Sequence, residues 1–436
     1  MLNRMSSSGS EQTQKGGSHG VENASEYSEN SISRLRYWLR QESDHQWLSM
    51  GLFIAVVFVV AMLIQQSAIT PGLSSSDIID SDARVIDIAW DEDGTTAILV
   101  VDGNEGRSLQ KWTVDEKITE LVFDSPRTVE RFSNGWIVGG DDGVISRCMG
   151  PCEVLAPISF DWQGDSSTGL RVIDVSTNDG TSGFILFQSM QSSSVEEDGT
   201  VGDRGGEWLS SVRYFEGDIL SPASYFESGQ HMTEISVTED GAISAGYGWF
   251  GLSSASNMAR SVISSISGEV TSSSPEITMR HIGGDGEYHT IIMHDNGSTV
   301  VGQSDVVYID EFDNLSTISG SFGAPAAALD GHGDIWLAGD FGSGSMMKIE
   351  CGSTTAEMIK VSTIENLEVD VGVTRGGIVE FHGTDDSGSA SVQYDPDEAN
   401  TLYSLDYLIR VVYVFGACSI FAVMLWTVRD KIKNYS

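Results

Sequence analysis

The sequence predicts an all-β fold, a seven-bladed β-propeller, flanked by two transmembrane α-helices. Three observations favour this fold class. A hairpin pattern recurs seven times between residues 84 and 396. One uncharged apolar stretch stands before that region and another after it. Basic residues flank each stretch on the side nearer the chain terminus, whereas acidic residues dominate the region between the two stretches.

The repeating unit has alternating apolar residues, a polar turn ending in glycine, and a second short apolar run. Alternation with period 2 is typical of a strand with one buried face, and Asp-Gly or Asn-Gly supplies the positive φ of a tight hairpin turn. IDIAWDEDGTTAILV at 86–100 and ISVTEDGAISAG at 235–246 are two examples. The turn glycines are 36 to 61 residues apart, and they are Gly94, Gly135, Gly180, Gly241, Gly297, Gly333 and Gly377.

A third strand often follows the hairpin, as at 212–215, 306–309 and 392–394. Three or four short strands about every 45 residues are typical of propeller blades. Seven units predict seven blades, with six or eight as alternatives because the third and fourth units are lengthened, notably by the acidic insertion at 191–206. A pair of β-sandwiches is the alternative fold. A closed ring brings its first and last blades together, so both chain ends can reach a membrane at one point.

Over about residues 84–396 this pattern resembles the broad WD40-like class of β-propeller repeats. Trp-Asp occurs once in a suitable unit, at Trp90-Asp91, where it forms the approach to the turn, and the usual Gly-His pair is missing. The resemblance therefore implies the propeller architecture and no particular subfamily.

Two segments of 18 residues each, 47–64 and 411–428, contain no charged residue. At ~1.5 Å rise per residue, a helix of this length covers about 27 Å, close to the hydrocarbon thickness of a bilayer. Arg34, Arg36 and Arg40 precede the first segment, and Arg429, Lys431 and Lys433 follow the second. By the positive-inside rule, both termini are predicted to be cytoplasmic and the central domain extracellular, in a multi-pass protein of the cell membrane.

The predicted organisation follows from these boundaries. It consists of a disordered cytoplasmic tail at 1–31, a juxtamembrane amphipathic helix at 32–46, transmembrane helix 1 at 47–66, a stalk at 67–83, the extracellular propeller at 84–396, a second stalk at 397–406, transmembrane helix 2 at 407–428 and a cytoplasmic tail at 429–436.

Charge limits the classes of partner. The chain carries 63 acidic and 24 basic residues, a formal net charge of -39. Such a surface repels phosphate backbones and disfavours nucleic acid as a partner. A Lys-poor, Asp-rich surface suits a salt-adapted protein, because salt screens its self-repulsion. The alternative is that clustered carboxylates bind divalent cations such as calcium.

Four cysteines are present. Cys148 and Cys152 flank Met-Gly-Pro, a turn sequence, and are the candidates for a disulfide outside the cell. Pairing of Cys351 with either of them is left open. Cys418 lies in the second apolar segment.

Candidate metal ligands occur in two predicted hairpin turns. Asp91 and Asp93 superficially resemble part of a calcium loop, but the downstream Glu of an EF-hand is missing. Asp330, His332 and Asp334 alternate along another turn. Solvated turn residues are the alternative interpretation of both groups. No catalytic residue and no cofactor-binding residue is predicted.

These observations favour a membrane-anchored binding or scaffold module for an extracellular protein or carbohydrate ligand. Two alternatives are kept. The first is a surface enzyme on a propeller scaffold, either a metal-dependent hydrolase or a quinone-dependent dehydrogenase. The second is a transmembrane sensor that couples external binding to the N-terminal tail.

Overall fold

The computed structural model describes residues 53, 55–56, 72–76, 83–115, 117–162, 165–190, 208–250, 258–321, 323–339, 345–360, 367–385, 388–399, 412–413, 415–416 and 419–420. Ser67–Ile409 forms one compact unit, and Met1–Gln66 with Arg410–Ser436 forms another. The described part of the first unit consists almost entirely of strands, because its sequence alternates in hydrophobicity with period 2 and is interrupted by glycine turns.

These strands form seven antiparallel sheets of four or five strands, the seven blades of a propeller. The sequence-based prediction of an all-β, seven-bladed propeller is thereby confirmed. The first strand along the chain, β1 (Leu73–Ser75), belongs to the last blade. Blade 1 consists of β2 (Arg84–Trp90), β3 (Thr96–Gly103), β4 (Gly106–Thr113) and β5 (Lys117–Leu121).

Blades 2 to 4 follow in chain order. Blade 2 consists of β6 (Pro126–Phe132), β7 (Gly135–Gly140), β8 (Ile145–Met149) and β9 (Ala156–Pro157). Blade 3 consists of β10 (Leu170–Thr177), β11 (Ser182–Met190), β12 (Trp208–Glu216), β13 (Ile219–Leu220) and β14 (Ser224–Tyr225). Blade 4 consists of β15 (Gln230–Thr238), β16 (Gly241–Phe250), β17 (Met258–Ser267) and β18 (Glu276–Asp285).

Blades 5 to 7 complete the ring. Blade 5 consists of β19 (Tyr288–His294), β20 (Gly297–Gly302), β21 (Val306–Asp310) and β22 (Leu315–Thr317). Blade 6 consists of β23 (Ala326–Leu329), β24 (Ile335–Ala338), β25 (Ser345–Ile349) and β26 (Ala356–Lys360). Blade 7 consists of β27 (Glu368–Arg375), β28 (Ile378–Asp385), β29 (Gly388–Tyr394) and β1.

The first strand of each blade lies innermost, and the seven inner strands contact one another in ring order, with β27 of blade 7 next to β2 of blade 1. The outer strand of blade 7 comes from the N-terminal side, because Leu73 pairs with Tyr394 and Ser75 with Val392. The segment 67–83, predicted as a stalk, thus contributes a strand to the propeller. The ring is closed by strands from both ends of the domain.

The predicted turn glycines all lie at the hairpins between the first and second strands of their blades. Gly180 shows why glycine is required there. Its φ is +70°, and a Cβ atom at this position would lie 2.4 Å from the ring of Phe132 in the neighbouring blade. The glycine therefore allows both the turn and the close approach of two blades.

Apolar side chains fill the spaces between neighbouring blades. Phe132 and Ile145 of blade 2, for example, pack in one buried cluster with Val172 and Ile185 of blade 3. The other neighbouring pairs of blades also have apolar clusters, which account for most of the hydrophobic core of the described residues.

The predicted transmembrane helices fall largely outside the described residues. Their described residues are helical, and they are Phe53, Ala55, Val56, Val412, Tyr413, Phe415, Gly416, Ser419 and Ile420. Within the described part of the chain, no helix has the length and apolar character needed to cross a bilayer. The tails at 1–31 and 429–436 and the segment 32–46 lie outside the described residues.

Candidate functional site

The inner strands position the candidate site through a shared irregularity. Six of the seven contain a β-bulge near their first residues, where one extra residue has no partner in the second strand. A bulge redirects the side chains next to it and is common at binding sites. The extra residues are Ile86, Arg127, Ile173, Thr233, His289 and Asp370.

All six bulge residues line one end of the central channel, which we call the upper mouth. It encloses about 570 Å³, and its other main lining residues are Arg84, Asp87, Thr128, Glu130, Asp174, Glu234, Glu287, Thr290, Gln303 and Val371. Carboxylates outnumber cationic side chains in this set. The upper mouth is therefore a polar, acidic cavity built mainly by blades 1 to 5 and blade 7.

Two of the carboxylates form hydrogen bonds that connect neighbouring inner strands. Asp87 of blade 1 accepts a hydrogen bond of 2.8 Å from the backbone N–H of Val129 in blade 2. Asp174 of blade 3 accepts one of 2.8 Å from the backbone N–H of Ile235 in blade 4. The Thr128 hydroxyl lies within hydrogen-bond distance of both carboxylates, at 3.0 and 3.2 Å. Asp87 and Asp174 thus have a structural use in the ring.

Among the described residues, Glu130 and Glu234 form no comparable hydrogen bond to a neighbouring blade. Neither carboxylate has a basic side chain within ion-pair distance among the described residues. Burial and the charges of Asp174 and Asp87 raise the pKa of Glu130 well above its usual value. The same causes, together with the charge of Glu130, raise the pKa of Glu234. Both side chains therefore resist ionisation in the channel, where a cation brought in from outside would favour their charged form.

The two structural aspartates belong to the same electrostatic group. Burial raises the pKa of Asp174 to about 7, against hydrogen bonds from Ile235 and Val175 that lower it. Burial also raises the pKa of Asp87. Four carboxylates that repel one another in a space of low dielectric all resist ionisation, and a bound cation would relieve that repulsion.

The arginines of the upper mouth already have acidic partners. Arg84 forms a two-pronged ion pair with Asp370, with Nε–Oδ2 and Nη2–Oδ1 distances of 2.8 and 2.5 Å. Arg127 is paired with Asp141 beside the mouth. These arginines therefore do not neutralise Glu130 and Glu234.

The channel continues to a second opening at the other end of the inner strands, which we call the lower cavity. It encloses about 800 Å³ and includes Glu130, so the two cavities meet at this residue. Asp91, Glu92 and Glu239 line its rim. Both ends of the channel are acidic.

The carboxylates predicted as metal ligands instead form hydrogen bonds and an ion pair with residues in or near their own hairpin turns. The Asp91 carboxylate accepts hydrogen bonds of 2.7 and 2.8 Å from the backbone and hydroxyl of Thr95. Asp330 accepts a bond of 2.8 Å from the indole of Trp336. Asp334 pairs with Lys348 at 2.7 Å.

The other two candidates are also apart from any ligand cluster. Asp93 lies in the same hairpin turn as Asp91, and His332 Nε2 lies 3.0 Å from Asp397 Oδ1. Among the described residues, no three His, Cys, Asp or Glu side chains are grouped as metal ligands. The structure does not bring Asp91 and Asp93 to Asp330, His332 and Asp334 as one site.

In the structure Cys148 and Cys152 form a disulfide, with Cα atoms 5.0 Å apart, at the end of β8. Both are buried between blades 1 and 2. Cys351 is a free, exposed thiol at the turn after β25.

Similarity to known proteins was found among solved structures. No family model matches the chain, and no curated protein matches it. Among solved structures, it is similar to the WD40 β-propeller domain of Doa1, with 13% identity over 76% of this chain and 98% of that one, and a TM-score of 0.44. YCF48 from Cyanidioschyzon merolae is 14% identical over 75% of this chain and 99% of that one, with a TM-score of 0.47.

Proposed function

We propose that this WD40-like seven-bladed propeller is displayed on the outer face of a membrane as a binding module, and that its ligand is a protein segment bearing lysine or arginine. The observation that carries the proposal is that Glu130 and Glu234 line the channel beside Asp87 and Asp174 with no basic side chain within ion-pair distance among the described residues. The upper mouth is the binding site. A basic side chain entering it would supply the missing counter-charge.

The energetic argument concerns what these glutamates do to the free protein. Removing a carboxylate from water without giving it a partner is unfavourable, and Glu130 and Glu234 are both partly buried. Glu130 and Glu234 make no ion pair that would offset this penalty among the described residues. Groups that destabilise the fold and face a cavity are typical of functional sites, where stability is lost in favour of binding.

The path of the chain supports anchoring at both ends. The backbone oxygen of Gly72 accepts a hydrogen bond of 2.8 Å from the N–H of Asp395, so both ends of the propeller leave side by side. They leave on the side of the lower cavity, because Tyr394 pairs with Val379, which pairs with Thr374 of that cavity. The upper mouth opens on the opposite side of the propeller.

The binding experiment uses the full chain in lipid nanodiscs and fluorescent peptides of equal length that are lysine-rich, neutral or acidic. We expect the lysine-rich peptide alone to bind. Glu234→Gln is expected to weaken its binding by about tenfold, which corresponds to the loss of one partly desolvated charge pair. Glu105→Gln, which removes one exposed carboxylate from a surface turn, is the matched control.

The interpretation of this experiment does not depend on the membrane. Equal binding of all three peptides, or equal weakening by Glu234→Gln and Glu105→Gln, would contradict the upper mouth as the site. Binding of a neutral glycan in place of the basic peptide would assign the module to a carbohydrate ligand instead.

The orientation has a separate test in the exposed thiol of Cys351. A membrane-impermeant maleimide is expected to label this cysteine on intact cells, and Cys351→Ser is expected to abolish the labelling. Labelling that requires permeabilised cells would place the propeller on the inner side and leave the binding site unaffected.

A further inference from the structure

The seam between the last and the first blade differs from the other blade interfaces. Elsewhere, buried apolar residues of both blades interlock, as between blades 2 and 3. At the seam, all fully buried apolar residues of the cluster come from blade 1, and blade 7 adds the partly buried Val371 and Val373. Blade 7 instead places polar side chains on this side.

Glu380 and His382 of β28 are both fully buried. The residues between and before them, Phe381 and Val379, point the other way, into the apolar cluster shared with blade 6. Since successive side chains of a strand alternate between faces, Glu380 and His382 lie on the face toward blade 1. A buried carboxylate and a buried imidazole thus share the seam where the ring closes.

Their polar atoms are incompletely paired. Glu380 Oε1 accepts a hydrogen bond from the hydroxyl of Ser76, the residue after β1, and lies 4.0 Å from Arg375 Nη1. Glu380 Oε2 is 3.6 Å from His382 Nε2, which is too long for a direct hydrogen bond. Among the described residues, Glu380 Oε2 and both ring nitrogens of His382 have no hydrogen-bond partner.

A fourth unpaired group lies on the same seam. Trp90 of blade 1 is buried, and its indole nitrogen has no partner among the described residues. The Arg375 guanidinium covers its ring, 4.4 Å from the centroid, and also contacts the ring of Trp112. Arg375 therefore joins the indole of blade 1 to the carboxylate of blade 7.

Buried polar atoms without protein partners are commonly bridged by internal water, which can both donate and accept. We propose that the seam is an internal water-binding site formed by Glu380 and His382, sealed by Ser76, and that β1 is consequently the strand at which the ring opens. Besides the Arg84–Asp370 ion pair and the packing of Val371 and Val373, this seam contains buried polar atoms that need water, and the blade beside it is completed by a strand of three residues. Such a seam separates more readily than an interlocked apolar interface.

The test is hydrogen–deuterium exchange on the full chain in nanodiscs. We expect amides of residues 72–76 and 388–394 to exchange at least about tenfold faster than those of β3, because they are released by local opening. Ser76→Ala should accelerate their exchange further by about fivefold, the equivalent of one hydrogen bond. His382→Leu, which replaces the unpaired imidazole by an apolar side chain, should slow it.

His281→Leu is the matched control, because its Nε2 is also buried without a partner in the described structure but belongs to blade 4. It should leave exchange at 72–76 unchanged. A crystal structure at high resolution is expected to show water bridging Glu380 Oε2 and His382. Exchange at 72–76 as slow as in β3, acceleration by His382→Leu, or a seam without water would each overturn the proposal.

Discussion

Among the inner strands, carboxylates beyond the bulge that line the upper mouth lie only in blades 1 to 4, although the backbone repeats in the other blades. Blades 1 to 4 supply Asp87, Glu130, Asp174 and Glu234 to the channel. Directly after the bulge, where blades 1, 3 and 4 have an acid, blades 5 and 7 have Thr290 and Val371. The fold accepts a neutral side chain at this position. The group of acids in blades 1 to 4 is therefore a property of this sequence and not a requirement of the ring.

The comparison also separates two kinds of acid within that group. Asp87 and Asp174 bond to backbone amides of the next blade, whereas Glu130 and Glu234 have no ion-pair partner among the described residues. The first pair should stabilise the ring, and the second pair should destabilise it while attracting a cation. Four predictions test this division, starting with the largest effect.

Asp174→Ala should destabilise the propeller by about 2–4 kcal/mol, because the buried N–H groups of Ile235 and Val175 lose their acceptor. Thermal or urea unfolding measures the effect. Thr290→Ala, at the aligned position of blade 5, is the control and should change stability by less than about 1 kcal/mol. Equal losses of stability in the two variants would contradict a special structural role for the acid at this position.

Stability should rise as the pH falls from 8 to about 5. The pKa of Asp174 is raised in the fold from 3.8 to about 7, so the folded state binds its proton more tightly than the unfolded state does. The free-energy cost of ionising Asp174 in the folded state is fully present above pH ~7. It disappears as the pH falls toward ~4, where the carboxyl is protonated in both the folded and the unfolded state. We expect a melting temperature higher by roughly 2–6 °C at the lower pH.

The combined variant Glu130→Gln, Glu234→Gln should reduce this pH slope, whereas Glu105→Gln should not. A slope that is identical in all three proteins would attribute the pH dependence to the general surface charge and not to the channel.

Glu130→Gln alone should stabilise the protein by about 1 kcal/mol at pH 8 and by almost nothing at pH 5, since it removes a charge that burial and its acidic neighbours disfavour. Denaturant midpoints at the two pH values provide the measurement. Destabilisation at pH 8 would show that Glu130 has a structural role like that of Asp174.

The smallest effect is expected at the rim. Arg84→Gln breaks the ion pair with Asp370, but more than half of the Arg84 side chain is exposed, at 54%. Such pairs contribute about 0.2–1 kcal/mol, less in high salt. Unfolding at low and high salt measures this contribution, and a loss well above that range would mean that the pair holds blades 7 and 1 together.

The sequence predicted the ring better than its lining. The hairpins could be recognised because strand alternation and turn glycines are local signals, and the seven glycines at hairpin turns correspond to the seven blades. The shortest outer strands could not, because β9, β13 and β1 contain two or three residues, too few for a periodic pattern.

The sequence contains a signal for the acidic lining, but it appears only when the repeat units are compared with one another. Val-Ile-Asp occurs at 85–87 and again at 172–174, each time shortly before a turn glycine. Alignment of the units would have placed these aspartates at one level of the ring. The bulges beside these aspartates are register shifts between the first and second strands of a blade, and the alternating pattern of a unit does not reveal them.

Closure of blade 7 by β1 has a consequence for synthesis. Ser74 and Gln393, which are hydrogen-bonded in the finished sheet, are 319 residues apart. The ribosome makes β1 long before its partner strand β29, so β1 stays unpaired while the intervening residues are synthesised. Contacts this distant in sequence form late and slow folding. Truncation from either terminus would damage the same blade.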